Sequence, residues 1–158
     1  MQKITPFLWF NTNAEEALDF YSGIFNSVKI TSKSYWGAGG PGPEGTLMTA
    51  SFQLEGQDFI ALNGGAVFQF TEAISFVINC ETQEEVDHYW DKLSSDGGST
   101  DQCGWLKDKF GLSWQVVPIV LTKLAGHGDK KKVDSMMQAM MKMARLDVKI
   151  LRDAFDNG

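Results

Sequence analysis

Hydrophobic and polar positions alternate along this chain with two different periods. Phe7 to Phe10 form a dense apolar run. Behind it come a polar Asn13, an acidic Glu15-Glu16 pair, and then Ala17, Phe20, Tyr21 and Ile24 at helical spacing. This predicts a strand leading into a helix whose first turn is capped and negatively charged, as the helix dipole favours. Three strand-like runs follow, "SVKITSKSYW", "TLMTASFQL" and "DFIALN". The last two are joined at Glu55-Gly56-Gln57, a short hairpin signal.

The pattern then returns. "FVINCETQEEVDHYWDKLS", from Phe76, aligns without a gap on "FLWFNTNAEEALDFYSGIF", from Phe7; the offset is 69 from Phe7 to Phe76 and again from Glu15 to Glu84. Thr82 takes the place of Asn13 as the polar cap, and Val86, Tyr89, Trp90 and Leu93 form the second apolar stripe. "TDQCGWL" and "LSWQVVP" supply the strands after it, and Pro118 ends the last one by removing a ladder donor. An internal repeat of this length is one supersecondary unit used twice. The predicted fold is therefore α+β: two βαβββ modules, residues 1–65 and 70–120. Strand alternation then directs Phe7, Trp9, Phe76 and Ile78 toward the helices, and Pro6, Leu8, Ser75 and Val77 toward a cavity on the other face.

Beyond the Gly- and Lys-rich "AGHGDKKK", Val133, Met137, Met140, Ala144, Val148, Leu151 and Phe155 make one stripe. It predicts a single amphipathic C-terminal helix within residues 130–156, buried on the body or on a partner subunit. A homodimer partly formed through this helix is the expected assembly.

Composition narrows the partners. The 158 residues carry a net charge of −6, which argues against nucleic acid and against anionic membrane. The opening "MQKITPFLWF" lacks the apolar core of a signal peptide, and no apolar run approaches the roughly 20 residues that span a bilayer. Cys80 and Cys103 make neither a disulfide framework nor a CxxC pair. The expected location is the cytoplasm.

Candidate chemistry is sparse. "WGAGGPGPEG", Trp36 to Gly45, has the glycines of a phosphate loop but leads into a strand, and its prolines remove N–H donors. It is expected to be a loop able to cover a pocket mouth. His88 sits mid-helix beside Asp87, and His127 lies in the glycine-rich linker, so neither is oriented as a base. Cys103 is the one legible candidate for a titratable group in a cavity. Trp105, just before the charged turn Lys107-Asp108-Lys109, is a candidate stacking wall.

Several stretches resemble the PhnB-like family, often labelled demethylubiquinone methyltransferase, within the vicinal oxygen chelate superfamily of glyoxalases, extradiol dioxygenases and bleomycin-resistance proteins. They are "PFLWFNTNAEEALDFY", "ALNGG", "ISFVINCETQEEVDHYW", "QCGWLKDKFGLSWQVVP" and "MQAMMKMARLDV". The resemblance implies the glyoxalase-like paired fold, each sheet curved around its helix, with concave faces forming a pocket. It also implies that the metal-ligand positions of metal-using relatives fall on Pro6, Ser75, Gln115 and either Ala61 or Asn63. Of these only Gln115 is a plausible ligand, and a divalent site needs several His or carboxylate groups; no metal and no cofactor are expected. A Rossmann-type domain for a methyl donor is not legible either. The expected function is binding of a small aromatic or amphipathic molecule by Gln115, Asn63, Ser75, Leu8, Trp105 and Cys103. The alternative is an enzyme, either of the methyltransferase-labelled family or a metal-dependent lyase or dioxygenase of the glyoxalase superfamily.

Overall fold

The structure is a computed structural model that describes residues 2–158. It divides into two compact units, Met1–Phe70 and Thr71–Gly158.

The first unit runs β1 (Phe7–Phe10), α1 (Ala14–Ser22), β2 (Val28–Tyr35), β3 (Leu47–Leu54) and β4 (Gln57–Asn63). Its four strands lie in the order β1-β4-β3-β2, with β1 parallel to β4 and the other pairs antiparallel. Glu55 and Gly56 both take positive φ, 47° and 81°. That is the left-handed pair a two-residue hairpin between twisted strands requires. One sheet face carries Leu8, Phe10, Ala50, Phe52, Phe59 and Ala61, all buried, and α1 covers it with Ala14, Ala17, Leu18 and Tyr21.

This placement corrects the expected register of β1. Leu8 is 6% exposed and pairs with the buried Ala61, so it belongs to the core and not to a cavity; Phe7 is 55% exposed. In the second unit the expectation holds. Phe76 and Ile78 pair with the buried Trp114 and Val116, while Val77 is 49% exposed. The helix copies keep the 69-residue offset, with Ala17 and Tyr21 matching Val86 and Trp90. The strands do not, because three residues join β1 to α1 and only two join its counterpart to the second helix. A one-residue difference between strand and helix exchanges the two faces of the strand.

The second unit runs β5 (Ser75–Cys80), α2 (Gln83–Leu93), β6 (Ser99–Thr100), β7 (Trp105–Lys107) and β8 (Ser113–Pro118). It repeats the sheet order as β5-β8-β7-β6. Thr82 caps α2 by accepting from the Glu85 N–H (3.3 Å), and Glu85 reaches back to the N–H of Glu81 (2.6 Å).

The C-terminal stripe is divided. After α3 (Ile119–Ala125) come α4 (Lys130–Met140) and α5 (Val148–Asp156), in place of the single helix the spacing predicts. Asp147 caps α5 by accepting from Ile150 N–H (2.9 Å). The carbonyls of Met143 and Ala144 accept from the N–H groups of Cys103 (2.7 Å) and Gly104 (2.8 Å). Gln83 Oε1 accepts from Val148 N–H (2.8 Å), and its Nε2 donates to the Leu146 carbonyl (3.2 Å). Tertiary partners thus take up backbone groups that a continuous helix would have paired internally. The apolar residues are buried inside this unit, where Leu121, Met136, Leu146, Leu151 and Phe155 form one cluster with Val133, Met137 and Met140 against it.

Candidate ligand-binding site

The first unit holds a cavity of about 350 Å³. Its floor is the open face of the sheet, where Trp9 and Leu62 stand beside each other and Leu47, two residues before the Thr49 that pairs with Leu62, also lines the cavity. Its cover is the loop after Trp36, through Pro41, Gly42 and Pro43. The loop is closed by two hydrogen bonds between Trp36 and the chain at Gly45 and Thr46 (2.8 and 2.9 Å).

The two indoles are held by glycine. A Cβ on Gly64 would stand 2.3 Å from the Trp9 ring, and one on Gly42 would stand 2.3 Å from the Trp36 ring. Trp9 also donates from Nε1 to the Gly65 carbonyl (2.8 Å) and meets Phe68 edge-on at 4.9 Å. Among the described residues the Trp36 Nε1 has no hydrogen-bond partner. Asn11, Thr12, Thr46 and Asn63 supply the polar edge, and among the described residues no titratable side chain lines the cavity. Such walls suit a flat apolar molecule with one or two hydrogen-bonding groups.

Asn63 lies at the rim with its amide already engaged. Its Oδ1 accepts from the Ala14 N–H (2.9 Å) and its Nδ2 donates to the Leu47 carbonyl (3.2 Å). It does for α1 what Asn13 was expected to do, since Asn13 makes no side-chain cap bond.

In the second unit the structure gathers three of the residues singled out from sequence. Val77, Gln115 and Trp105 are directly opposite one another on β5, β8 and β7, on the open face of the sheet. Gln115 Nε2 donates to Ser75 Oγ (2.9 Å). Its Oε1 has no partner among the described residues and remains available as an acceptor.

Cys103 lies apart from them. Its φ is +60°, and its Sγ is directed at the Met140 carbonyl (3.7 Å), toward the C-terminal helices. Cys80 is buried, and desolvation followed by the nearby Glu85 charge pushes its thiol up to about 12, so it is an inert packing residue.

The charged turn has an unexpected organiser. Asp108 is 2% exposed, and its carboxylate accepts from the N–H groups of Phe110 (2.9 Å) and Leu112 (3.1 Å) and from Trp114 Nε1 (2.9 Å). Sequence reasoning took this residue for one charge among three. The signal that finds it is spacing: an Asp two residues before a turn position and six before a Trp can serve both. Trp9 and Trp36 were likewise missed as cavity walls. Glycines near each of them in sequence or across the sheet are the corresponding signal.

The residues at the implied metal positions do not fit a divalent ion. Pro6 has no side-chain donor, Ala61 is apolar, Asn63 is turned to α1, and Gln115 and Ser75 bond each other. Among the described residues no group of three or more His, Cys, Asp or Glu is placed to hold a metal. Nor do the two mostly antiparallel sheets offer the switch point of a parallel sheet where a Rossmann-type cofactor sits.

Two βαβββ units with these sheets make the glyoxalase-like paired fold. Residues 2–117 match the sequence model of the 3-demethylubiquinone-9 3-methyltransferase family, and the chain belongs to that family. A Bacillus cereus PhnB protein described under the same methyltransferase name is 40% identical; the match covers 74% of this chain and 99% of that one, with a TM-score of 0.68. A Pseudomonas aeruginosa protein is 21% identical over 75% of this chain and 98% of its own, with a TM-score of 0.61. The fosfomycin resistance protein FosX of Listeria monocytogenes shares the fold at 13% identity, over 75% of this chain and 93% of its own, with a TM-score of 0.53. No curated protein matches the chain.

Proposed function

We propose that this protein binds a small, flat, largely apolar organic molecule, without a metal, and that the cavity between Trp9 and Trp36 receives it. The observation that carries the reading is the lining: two glycine-seated indoles, leucine and proline, a few neutral polar groups, and no titratable side chain among them. Acid–base catalysis needs a group of suitable pKa within reach of the substrate, and this cavity supplies none. The family's methyltransferase name describes a chemistry for which these units carry no recognisable cofactor cradle. FosX is described in complexes with Mn(II), whereas the corresponding set here is neutral.

The open face of the second unit is part of the same proposal. Gln115 offers an acceptor beside Ser75, and Trp105 offers a ring face. Replacing Gln115 by Ala removes a half-buried side chain bonded only to the half-buried Ser75 hydroxyl, so it should weaken a ligand and leave the melting temperature nearly unchanged.

We further propose a cytoplasmic homodimer. Two unpaired thiols suit a reducing compartment. Phe7 and Phe68, both exposed, adjoin Trp9 at an edge strand, and exposed apolar edges are commonly covered by another chain.

The test is a thermal-shift and fluorescence titration with 2-naphthol. A ligand of the native state raises the melting temperature, and Trp36→Ala should reduce affinity about tenfold or more through loss of stacking and of the indole donor. If 2-naphthol and related bicyclic aromatics bind Trp36→Ala as well as they bind the natural chain, the cavity is not the site.

A further inference from the structure

Ser113 is an anomaly. It is 1% exposed, and among the described residues its Oγ has no hydrogen-bond partner. A buried hydroxyl left unpaired costs free energy that an alanine would not. Its position makes the anomaly informative. Ser113 on β8 is opposite Ser75 on β5 and opposite Lys107 on β7, and Lys107 is opposite Ser99 on β6. Paired residues share a face, so one row across the open side of the sheet presents three hydroxyls and an ammonium.

Ser113, Lys107, Ser99, Trp105 and Glu72 line a second cavity, of about 120 Å³. Glu72 forms an ion pair with Lys107 there. The bonded ammonium holds its carboxyl below the ordinary value. Asp101 is also at this cavity, with its Oδ1 occupied by the Gln102 N–H (2.7 Å).

We infer that this row is a carboxylate site: a ligand carboxylate sits between Lys107 Nζ and Ser113 Oγ, displacing the Glu72 carboxylate that stands on Lys107 in its absence, with the ligand's ring against Trp105. The inference rests on the reading that the open face of the second unit receives a ligand, and adds the chemical class. Three features support a carboxylate over a neutral group. The row carries an ammonium and hydroxyls that can each donate, Ser113 has an unused O–H, and the chain's own carboxylate already occupies the ammonium. Exchange costs little because the Lys107–Glu72 pair is solvent-exposed, and exposed pairs are weak.

The test is a two-dimensional amide NMR titration of the full chain with benzoate, and with benzamide as the neutral isostere. Benzoate should shift the amides of Lys107 and Ser113 and the Trp105 indole N–H in a saturable way; benzamide should leave them in place. Glu72→Gln should tighten benzoate about two- to fivefold by removing the competitor. Ser113→Ala should weaken it about tenfold, the value of a hydrogen bond to a charged group, with a melting temperature equal to or above that of the natural chain. Lys107→Gln should abolish saturation.

Equal shifts from benzamide would overturn the carboxylate assignment. So would an affinity indifferent to Glu72→Gln and Ser113→Ala, which would leave Ser113 as a packing flaw only. Benzoate shifts confined to the Trp9 and Trp36 indoles would sink this inference while leaving the first-unit cavity standing. The reverse pattern, with no aromatic reaching Trp36, would sink that cavity and leave the carboxylate site.

Discussion

At the scale of single residues, small groups with no free choice of conformation do most of the organising. Asp108 gathers two backbone N–H groups and an indole N–H into one buried carboxylate. Asp108→Ala removes the carboxylate that accepts from the Trp114 indole in the core. The expected cost is about 3 kcal/mol, roughly 6–12 °C in melting temperature for a chain of this size. Calorimetry that finds Asp108→Ala as stable as the natural chain would contradict the role assigned to it. Gly64 works by omission. Any side chain there would push into the Trp9 ring, so Gly64→Ala should alter the first-unit cavity and weaken 2-naphthol. Indole fluorescence should report the displaced ring.

At the scale of elements, the same βα grammar is completed by different partners in each copy. α2 closes its own N-terminus through Thr82 and Glu85, which are sequence neighbours. α1 borrows Asn63 from the end of β4. Asn63→Ala should therefore cost about 1 kcal/mol, as loss of a helix cap does, where Asn13→Ala should cost almost nothing; urea melts of the two variants separate them. The C-terminal helices show the opposite of autonomy. Gln83, on α2, holds the N-terminal turn of α5 and the Leu146 carbonyl. Gln83→Ala is expected to speed amide exchange in residues 146–151 before it changes exchange in the β5–β8 ladder.

At the scale of the whole molecule, among the described residues no helix is long and apolar enough to cross a membrane. The stripe that first suggested a dimer is consumed within the second unit, so the C-terminal helices need no partner to be buried. An apolar surface open to cover is the edge of the first unit at Phe7 and Phe68. Light scattering should report a dimer at micromolar concentration, and Phe68→Ser should shift it toward monomer. A monomer in the natural chain at that concentration removes the dimer proposal.

What the sequence determined by itself is what depends on near neighbours. The hairpin at Glu55-Gly56, the strand end at Pro118, the Thr82 cap and both helical stripes are set within a few residues. They were legible because their periods and turn chemistry are local. The repeat and the family motifs carried the α+β class in the same way. Tertiary structure decided the rest. Which face of β1 is buried turned on one extra residue before α1, since a strand's two faces differ by a single step. The C-terminal stripe reads as one helix only until Cys103, Gly104 and Gln83, distant in sequence, claim backbone groups at its centre. Asn63 looked free for a ligand until the fold brought the end of β4 to the start of α1. Trp9 and Trp36 became one cavity, and Ser113 an unpaired hydroxyl, by the same cause: hydrogen bonds and packing are completed between residues that no local period relates.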